Sequence, residues 1–263
     1  MRFDLSNLGL RSRGVRKNDM PLRKVIGKMV GPSGRRLIWR VEAKLSARPY
    51  RQRMKAMGAI EIGGPTDLFG DAGLLPVYSC LGSIDNVNYA ARTLWQSDAV
   101  KFRETLVCEG TAIPVKDGAY DCLFSSHSLE HIANPIKALL EWRRVIRDHG
   151  LLLLVLPNRE YTFDWRRPVT SLDHLRDDFR HDTPENDLFH LDEILALHDL
   201  SRDLPAGTPE QFKERCLRNA EFRAMHHHVF SPETAAQLLR EIGFSIVRQD
   251  VKDVNIITLA AKS

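Results

Sequence analysis

The stretch that most constrains this chain is residues 119–160, in which two apolar segments flank an amphipathic one. Tyr120–Phe124 is short and largely apolar. Leu151–Leu156 is an unbroken apolar run, which is typical of a central parallel strand covered on both faces. With a helix between them, the stretch predicts a β-α-β unit, whose crossover is nearly always right-handed. Ligands of such sheets bind beyond the carboxyl ends of the strands, here at Ser125-Ser126-His127 and Pro157-Asn158.

The limits of the predicted helix follow from residues at its two ends. Asn134 can cap a helix, and Pro135 suits its first turn because proline lacks the N–H that would go unpaired there. His149-Gly150 predicts the end of the helix. Apolar residues recur between these limits at helical spacing, at Ile136, Leu139, Leu140, Trp142, Val145 and Ile146.

Size and composition exclude several classes of protein. A chain of 263 residues can bury one large core with a small appendage. No window approaches the roughly 20 apolar residues of a membrane span, and residues 1–14 lack the apolar core and cleavage site of a secretory signal. We interpret the four cysteines as buried thiols in a reducing cytoplasm, because no CxxC pair occurs among Cys80, Cys108, Cys122 and Cys216.

Charge is distributed unevenly along the chain. Residues 1–57 hold 16 of the 38 Lys/Arg but only 3 of the 34 Asp/Glu, so a basic arm precedes an acidic body. We expect two helical pieces, broken at 31–34, with an apolar stripe of Leu37, Ile38, Val41 and Leu45 on the second. Such an arm could be a helical cap docked on the body, an anchor on an anionic membrane at the inner face, or an RNA-binding segment.

Further short strands precede the β-α-β unit. Ala59–Ile62 carries an acid, Glu61, and leads into Gly63-Gly64-Pro65, where glycine allows close approach to a ligand. Leu75–Leu81 is the predicted next strand, and Asp85 follows it, where an acid can accept the hydroxyls of a ribose. Residues 107–114 predict another strand and loop. This alternation predicts an α/β doubly wound sheet.

Three segments carry a resemblance to a known family: the glycine segment Ile60–Pro65, the stretch Cys108–Phe124, and Ser126–Pro157 with SLEHI, NP and LVLPN. The chain resembles class I S-adenosylmethionine-dependent methyltransferases, closest to the subgroup called methyltransferase type 11. It is also similar to methyltransferases associated with bacterial surface-polysaccharide clusters. The resemblance implies a Rossmann-like sheet closed by an antiparallel hairpin, in a methyltransferase domain at 58–263 that follows the helical basic arm at 1–57.

The resemblance also implies a set of cofactor-binding residues. Glu61, Gly63, Gly64 and Pro65 would shape the methionine end of S-adenosylmethionine, and Asp85 would take the ribose hydroxyls. Thr111 and Ala112 would lie along the adenine. Ser126 and His127 would lie where the fourth strand meets cofactor and acceptor. A Rossmann domain for NAD is the competing interpretation, and the short glycine segment and SLEH favour the methyl donor.

Residues 161–230 are expected to be a helical insertion that builds the acceptor site. Seven of the ten histidines lie between positions 174 and 228. The candidates for a general base are His127, His190, His227 and His228, because imidazole can take a proton near neutral pH. A divalent metal on Asp187, His190 and His198 is the less favoured alternative. In the remaining interpretation, the acidic and histidine residues of the insertion only cap helices and form salt bridges on solvated helices.

The sequence therefore predicts a cytoplasmic methyltransferase, with possible peripheral contact at the inner membrane face, that methylates an oxygen of a sugar, glycan or other polyhydroxylated acceptor. The acidic, histidine-rich insertion suits such an acceptor, since carboxylates and imidazoles pair with hydroxyls. Two other classes stay open. An RNA methyltransferase would explain the basic arm. A non-catalytic cofactor- or glycan-binding module would explain the glycine segment, in which the third glycine of the family's motif is replaced around Thr66-Asp67.

Overall fold

A computed structural model describes residues 32–91 and 100–263, with side chains from residue 38 onward. The described strands are β1 Gly58–Ile62, β2 Ser83–Asn88, β3 Thr105–Val107, β4 Tyr120–Ser126, β5 Ile146–Pro157, β6 Phe244–Lys252 and β7 Asn255–Lys262. They form one sheet in the order β3-β2-β1-β4-β5-β7-β6. The first five are mutually parallel where they pair, and β7 is antiparallel to both β5 and β6. The predicted α/β sheet with a closing antiparallel hairpin is confirmed.

Helices cover both faces of this sheet. The described helices are α1 Pro32–Met54, α2 Pro135–Val145, α3 Leu172–Arg180, α4 Leu191–Leu197, α5 Pro209–Leu217, α6 Asn219–Phe222 and α7 Pro232–Ile242. Successive residues of a strand point to opposite faces. Leu152 and Leu154 of β5 accordingly pack with Trp142 of α2, whereas Leu153 packs with Tyr50 of α1. The apolar run of β5 is therefore buried on both sides, as its sequence predicts.

The helix in the β-α-β unit ends earlier than predicted. Asn134 caps α2 as expected, its side chain accepting a hydrogen bond from the N–H of Lys137 at 3.0 Å. The end at His149-Gly150 was wrong, because Ile146 already begins β5 and pairs with Tyr120. Pairing then jumps to Cys122 opposite Leu151, which leaves the residues between as a bulge. Leu140, expected to face inward, is 41% exposed.

The second strand also lies elsewhere than predicted. Leu75–Leu81 forms no strand: Leu75 and Val77 are buried in a loop, and Tyr78–Cys80 is a short 3₁₀ turn. The strand that follows is β2, Ser83–Asn88. Asp85 therefore lies in the middle of a strand instead of after its end, which changes what its side chain can reach.

The basic arm is described only from Pro32, and residues 1–31, with the predicted first helical piece, lie outside the described residues. The second piece is α1, which begins at Pro32 and packs Ala47, Tyr50 and Met54 into the core. Three residues of the predicted stripe face outward, with Ile38 38%, Val41 50% and Leu45 63% exposed, and the side chain of Leu37 lies outside the described residues. Its contact with a membrane and the boundary at residue 57 stay predictions. Among the helices of the described ranges, none combines the length and apolar character needed to cross a membrane.

Candidate functional site

A cavity of about 680 Å³ opens at the carboxyl edge of the sheet. It lies where the strand order reverses between β1 and β4, the position at which doubly wound sheets bind ligands. Its volume is within the range of about 300–1,000 Å³ usual for small-molecule sites. The strand ends and following loops contribute Ile62, Gly63, Asn88, Cys108, Gly110, Ser126, His127 and Pro157 to its wall.

The turn after β1 is held by close packing and by side-chain amides. Gly63 has φ of +80°, and a Cβ there would lie 2.3 Å from Oγ of Ser128. A Cβ on Gly64 would meet the carboxylate of Glu61 at 2.3–2.4 Å. The carbonyl of Gly64 accepts hydrogen bonds from Nδ2 of Asn86 at 3.0 Å and of Asn88 at 2.9 Å. Both glycines are thus required for the backbone to run tightly along the cavity.

Glu61 lies fully buried beneath this turn. Its Oε2 accepts a hydrogen bond from the hydroxyl of Tyr78 at 2.6 Å, and its Oε1 has no hydrogen-bond partner among the described residues. Burial raises the pKa of Glu61 to about 8, against the opposing effect of the Tyr78 hydrogen bond. A buried acid with an unpaired oxygen behind a glycine turn suits a cationic ligand, whose charge would favour the ionised form.

Asp85, expected to hold the ribose hydroxyls, does not line the cavity. Its carboxylate pairs with the guanidinium of Arg103 and accepts a hydrogen bond from the Tyr120 hydroxyl at 2.8 Å. The Arg103 hydrogen bond lowers the pKa of Asp85. Asn88 stands at the end of β2 and lines the cavity instead. Position in the strand decides this, since Asp85 is three residues short of the carboxyl edge.

The remaining cofactor candidates are divided between the wall and the layer behind it. Gly63, Pro65, Ser126 and His127 line the cavity, whereas Gly64 does not. Thr111 and Ala112 lie just beyond the wall, which this loop builds from Cys108, Glu109 and Gly110. The sequence signal that would have placed this segment correctly is Gly110 itself, where an added Cβ would lie 3.3 Å from Cγ2 of Ile62.

Comparison with known proteins identifies the class. A family model described as "Methyltransferase domain", of type 11, matches residues 65–154, which run from the loop after β1 into β5. Residues 65–154 therefore belong to a methyltransferase domain, for which S-adenosylmethionine is the methyl donor. One curated relative, an uncharacterized 37.1 kDa protein in transposon TN4556 of Streptomyces fradiae, is 41% identical over 46 residues. That match covers 18% of this chain and 13% of the relative.

Several solved structures of methyltransferases are similar in structure to this chain. A SAM-dependent methyltransferase from Aquifex aeolicus matches with a TM-score of 0.44 and 15% identity, covering 91% of this chain and 98% of that one. A SAM-dependent methyltransferase from Methanosarcina mazei matches with a TM-score of 0.46 and 16% identity, covering 81% of this chain and 96% of that one. A third structure comes from Listeria monocytogenes and is described as a putative S-adenosylmethionine-dependent methyltransferase. It matches with a TM-score of 0.46 and 12% identity, covering 85% of this chain and 98% of that one.

The residues around the donor side of the cavity fit S-adenosylmethionine. Gly63 and Gly110 leave room for close approach, Ile62 and Val87 give an apolar wall, and Asn88 offers an amide at the end of β2. The buried unpaired Oε1 of Glu61 lies behind the turn and suits the cationic methionine end. These residues would hold the donor as the family requires.

The other side of the cavity is polar and carries an unpaired buried carboxylate. Glu130 is fully buried, lines the cavity, and has no hydrogen-bond partner for either carboxylate oxygen within the described ranges. Its Oε1 lies 3.8 Å from Nδ1 of His127 and 4.0 Å from Nε2 of His131. Burial raises the pKa of Glu130, against the opposing effect of His127 and His226. Native proteins rarely leave such a group without a partner, so this carboxylate suits a ligand.

His226 is the best-positioned histidine of the cavity wall, and it was missing from the predicted bases. Its Nδ1 donates to Oδ2 of Asp164 at 2.5 Å, and Asp164 is held in turn by Arg167 at 3.1 Å. Burial alone would lower the pKa of His226, but the Asp164 carboxylate raises it above its ordinary value. Because Nδ1 keeps its proton and donates it in the hydrogen bond to Asp164, the lone pair of the neutral ring lies on Nε2. The sequence signal was the run His226-His227-His228 (the HHH run), but only the fold shows which of its three rings contacts an acid.

The predicted bases lie in three different environments. His127 lines the cavity, with Nε2 2.8 Å from Oδ1 of Asn255. His227 is buried against Asn219 at 3.0 Å and has its pKa lowered by burial to about 3. His190 and His228 lie together outside the cavity wall, and burial lowers the pKa of His190 to about 4. The structure thus brings His127 to the cavity and the other three away from it.

Proposed function

We propose that this methyltransferase transfers the methyl group of S-adenosylmethionine to a hydroxyl oxygen of a polyhydroxylated acceptor, a sugar or glycan. The observation that carries the proposal is His226 in the cavity wall, paired with the buried Asp164. When bound, the donor supplies an electrophilic methyl group on a sulfonium. An acceptor hydroxyl still has to lose its proton, and an imidazole oriented by a buried carboxylate is a common arrangement for that step.

His226 acts as the base in this proposal. The acceptor hydroxyl gives its proton to Nε2, and Asp164 stabilises the imidazolium that forms while it fixes the ring orientation. Burial opposes the ionisation of Asp164, but His226 and then Arg167, which is 1% exposed, lower the pKa of Asp164 to about 2. The pair is thus held in place by a third, fully buried charge.

The same wall offers groups that suit several hydroxyls at once. Glu130 presents two carboxylate oxygens that accept no hydrogen bond from the described residues and can act as acceptors. Arg215 and Arg223 line the cavity, and the Nε–H of each, although buried, has no hydrogen-bond partner in the part of the chain that the structure describes. Donors and acceptors side by side match hydroxyl groups, each of which both donates and accepts. An apolar acceptor would leave these buried groups unpaired, at a cost of about 1–3 kcal/mol each.

Transfer of a labelled methyl group tests the acceptor class. The full chain is incubated with methyl-tritiated donor and, in parallel, with nucleotide sugars, polysaccharide fractions and total RNA. We expect acid-stable label in the sugar residues of the first two and none in RNA. Label recovered in RNA would contradict the proposal, as would label confined to nitrogen or carbon of any acceptor. The His226→Ala form serves as the control for transfer that does not use this wall.

A further inference from the structure

A second histidine cluster, separate from the cavity, gathers around Asp178. His174 and Asp178 are one turn apart on α3, His190 immediately precedes α4, and His228 belongs to the segment before α7. The ligand atoms of the three histidines lie within 4.8 Å of one another. Residues far apart in the sequence therefore present imidazoles to one point.

Hydrogen bonds among the protein atoms leave this cluster unsatisfied. Oδ2 of Asp178 lies 3.4 Å from Nε2 of His174 and 3.7 Å from Nε2 of His228, yet it has no hydrogen-bond partner in residues 32–91 and 100–263. Nδ1 of His228, a residue 1% exposed, is also without a partner there. A buried carboxylate oxygen facing imidazole nitrogens needs a positive charge or an added donor to balance it.

The spacing of the ligand atoms fits a tetrahedral ion. Bonds of 2.0–2.1 Å to four tetrahedral ligands place those ligands roughly 3.3 Å apart. Nε2 of His174 lies 2.9 Å from Nε2 of His190 and 3.4 Å from Oδ2 of Asp178. These two separations lie on either side of the tetrahedral value.

Outer contacts orient the ligands in the manner of metal sites. Oδ1 of Asp178 accepts a hydrogen bond from Oγ1 of Thr183 at 3.0 Å, which turns Oδ2 toward the histidines. The ring of His228 is held at Nε2 by the carbonyl of Ala133 at 3.2 Å, which leaves Nδ1 with the free lone pair. Ligating histidines are usually held by just such a bond from the other ring nitrogen.

We propose that His174, Asp178, His190 and His228 bind one Zn²⁺ ion. Three imidazoles and one carboxylate in a tetrahedral set are typical of zinc. All four ligands come from the protein, so the ion closes its coordination shell and ties α3 and α4 of the insertion to the segment that carries the HHH run. This role is independent of methyl transfer and places zinc outside the reaction cavity.

Metal binding to the full-length protein tests the site. The protein is stripped with chelator, and Zn²⁺ is measured by elemental analysis after re-addition, with Co²⁺ as the visible-light probe of tetrahedral coordination. We expect one equivalent of Zn²⁺ and intense tetrahedral Co²⁺ bands. Loss of a residue that only orients a metal ligand weakens metal binding by about 10–100-fold. His190→Ala and the isosteric Asp178→Asn remove a ligand itself, so each should weaken Zn²⁺ binding by more than that.

Two matched variants separate this site from others. His181→Ala changes an exposed histidine of the same insertion, whose Nδ1 is hydrogen-bonded to the carbonyl of Asp177 on its own helix, and should bind as the wild type does. His131→Ala alters the cavity histidine next to Glu130 and should also retain the ion. Binding of less than a tenth of an equivalent by the wild type would overturn the proposal. So would stoichiometric binding that survives His190→Ala and Asp178→Asn but is lost in His131→Ala.

Discussion

Replacing Arg167 by methionine is expected to lower the free energy of unfolding by about 3–5 kcal/mol, the cost of breaking a buried ion pair from one side. The guanidinium is 1% exposed and lies 3.1 Å from Asp164 and 2.8 Å from Glu193. It also donates to the carbonyls of His226 at 2.7 Å and His227 at 3.2 Å. Methionine fills a similar volume but leaves Asp164 and both carbonyls without this donor.

Urea unfolding of the two forms measures this effect, with Arg166→Met as the matched control. Arg166 is the preceding residue, is 45% exposed, and lies 3.7 Å from Asp199. Exposed ion pairs contribute only about 0–1 kcal/mol, so the control should remain close to the wild type. Equal stability of Arg167→Met and Arg166→Met would contradict the role we give to Arg167 in holding the insertion against the HHH run.

Replacing His226 by alanine is expected to lower kcat by about 10²–10⁴-fold, the usual contribution of a positioned general base. Binding of the methyl donor should change little, since the donor side of the cavity is built from other residues. The wild-type rate should rise with pH as Nε2 loses its proton. The acid limb should lie above pH 6.5, because Asp164 raises the pKa of His226 above that value.

Asp164→Asn distinguishes a base from a structural histidine. The amide cannot stabilise the imidazolium, so the pKa of His226 falls and the acid limb of the pH–rate profile should move to lower pH while the maximal rate drops. A purely structural role for the pair would lower the rate without moving the limb. His149→Ala, far from the cavity wall, is the control and should leave both unchanged. An unmoved limb in Asp164→Asn would sink the assignment of His226.

The parts of the fold that the sequence predicts are those governed by local rules. The apolar run Leu151–Leu156 is typical of a strand buried on both faces, and it is one. The cap at Asn134 forms as predicted. Periodicity failed at Ile146, where an apolar residue satisfies either a helix or a strand and pairing with Tyr120 decided the outcome.

The site was harder to predict, because it depends on register and on distant partners. Asp85 is an acid in a plausible segment, but a strand that begins at Ser83 places it in mid-strand and brings Asn88 to the edge. Asp164 and His226 are 62 residues apart. No spacing within the HHH run tells which ring will meet a carboxylate and which will join His174 and His190. Those pairings are set by packing of the insertion, which the sequence pattern does not encode locally.

Calorimetric titration of the purified full chain with S-adenosylmethionine tests the central claim most directly. The account predicts saturable binding by the wild type, strongly weakened binding by Asn88→Ala, and nearly unchanged binding by Asp85→Asn, whose side chain is turned to Arg103 and Tyr120. Circular dichroism of each form checks that the sheet is intact. The absence of binding by the folded wild type would contradict a donor site in this cavity. Binding lost in Asp85→Asn but kept in Asn88→Ala would contradict the assignment of Asn88, instead of Asp85, to the donor side of the cavity.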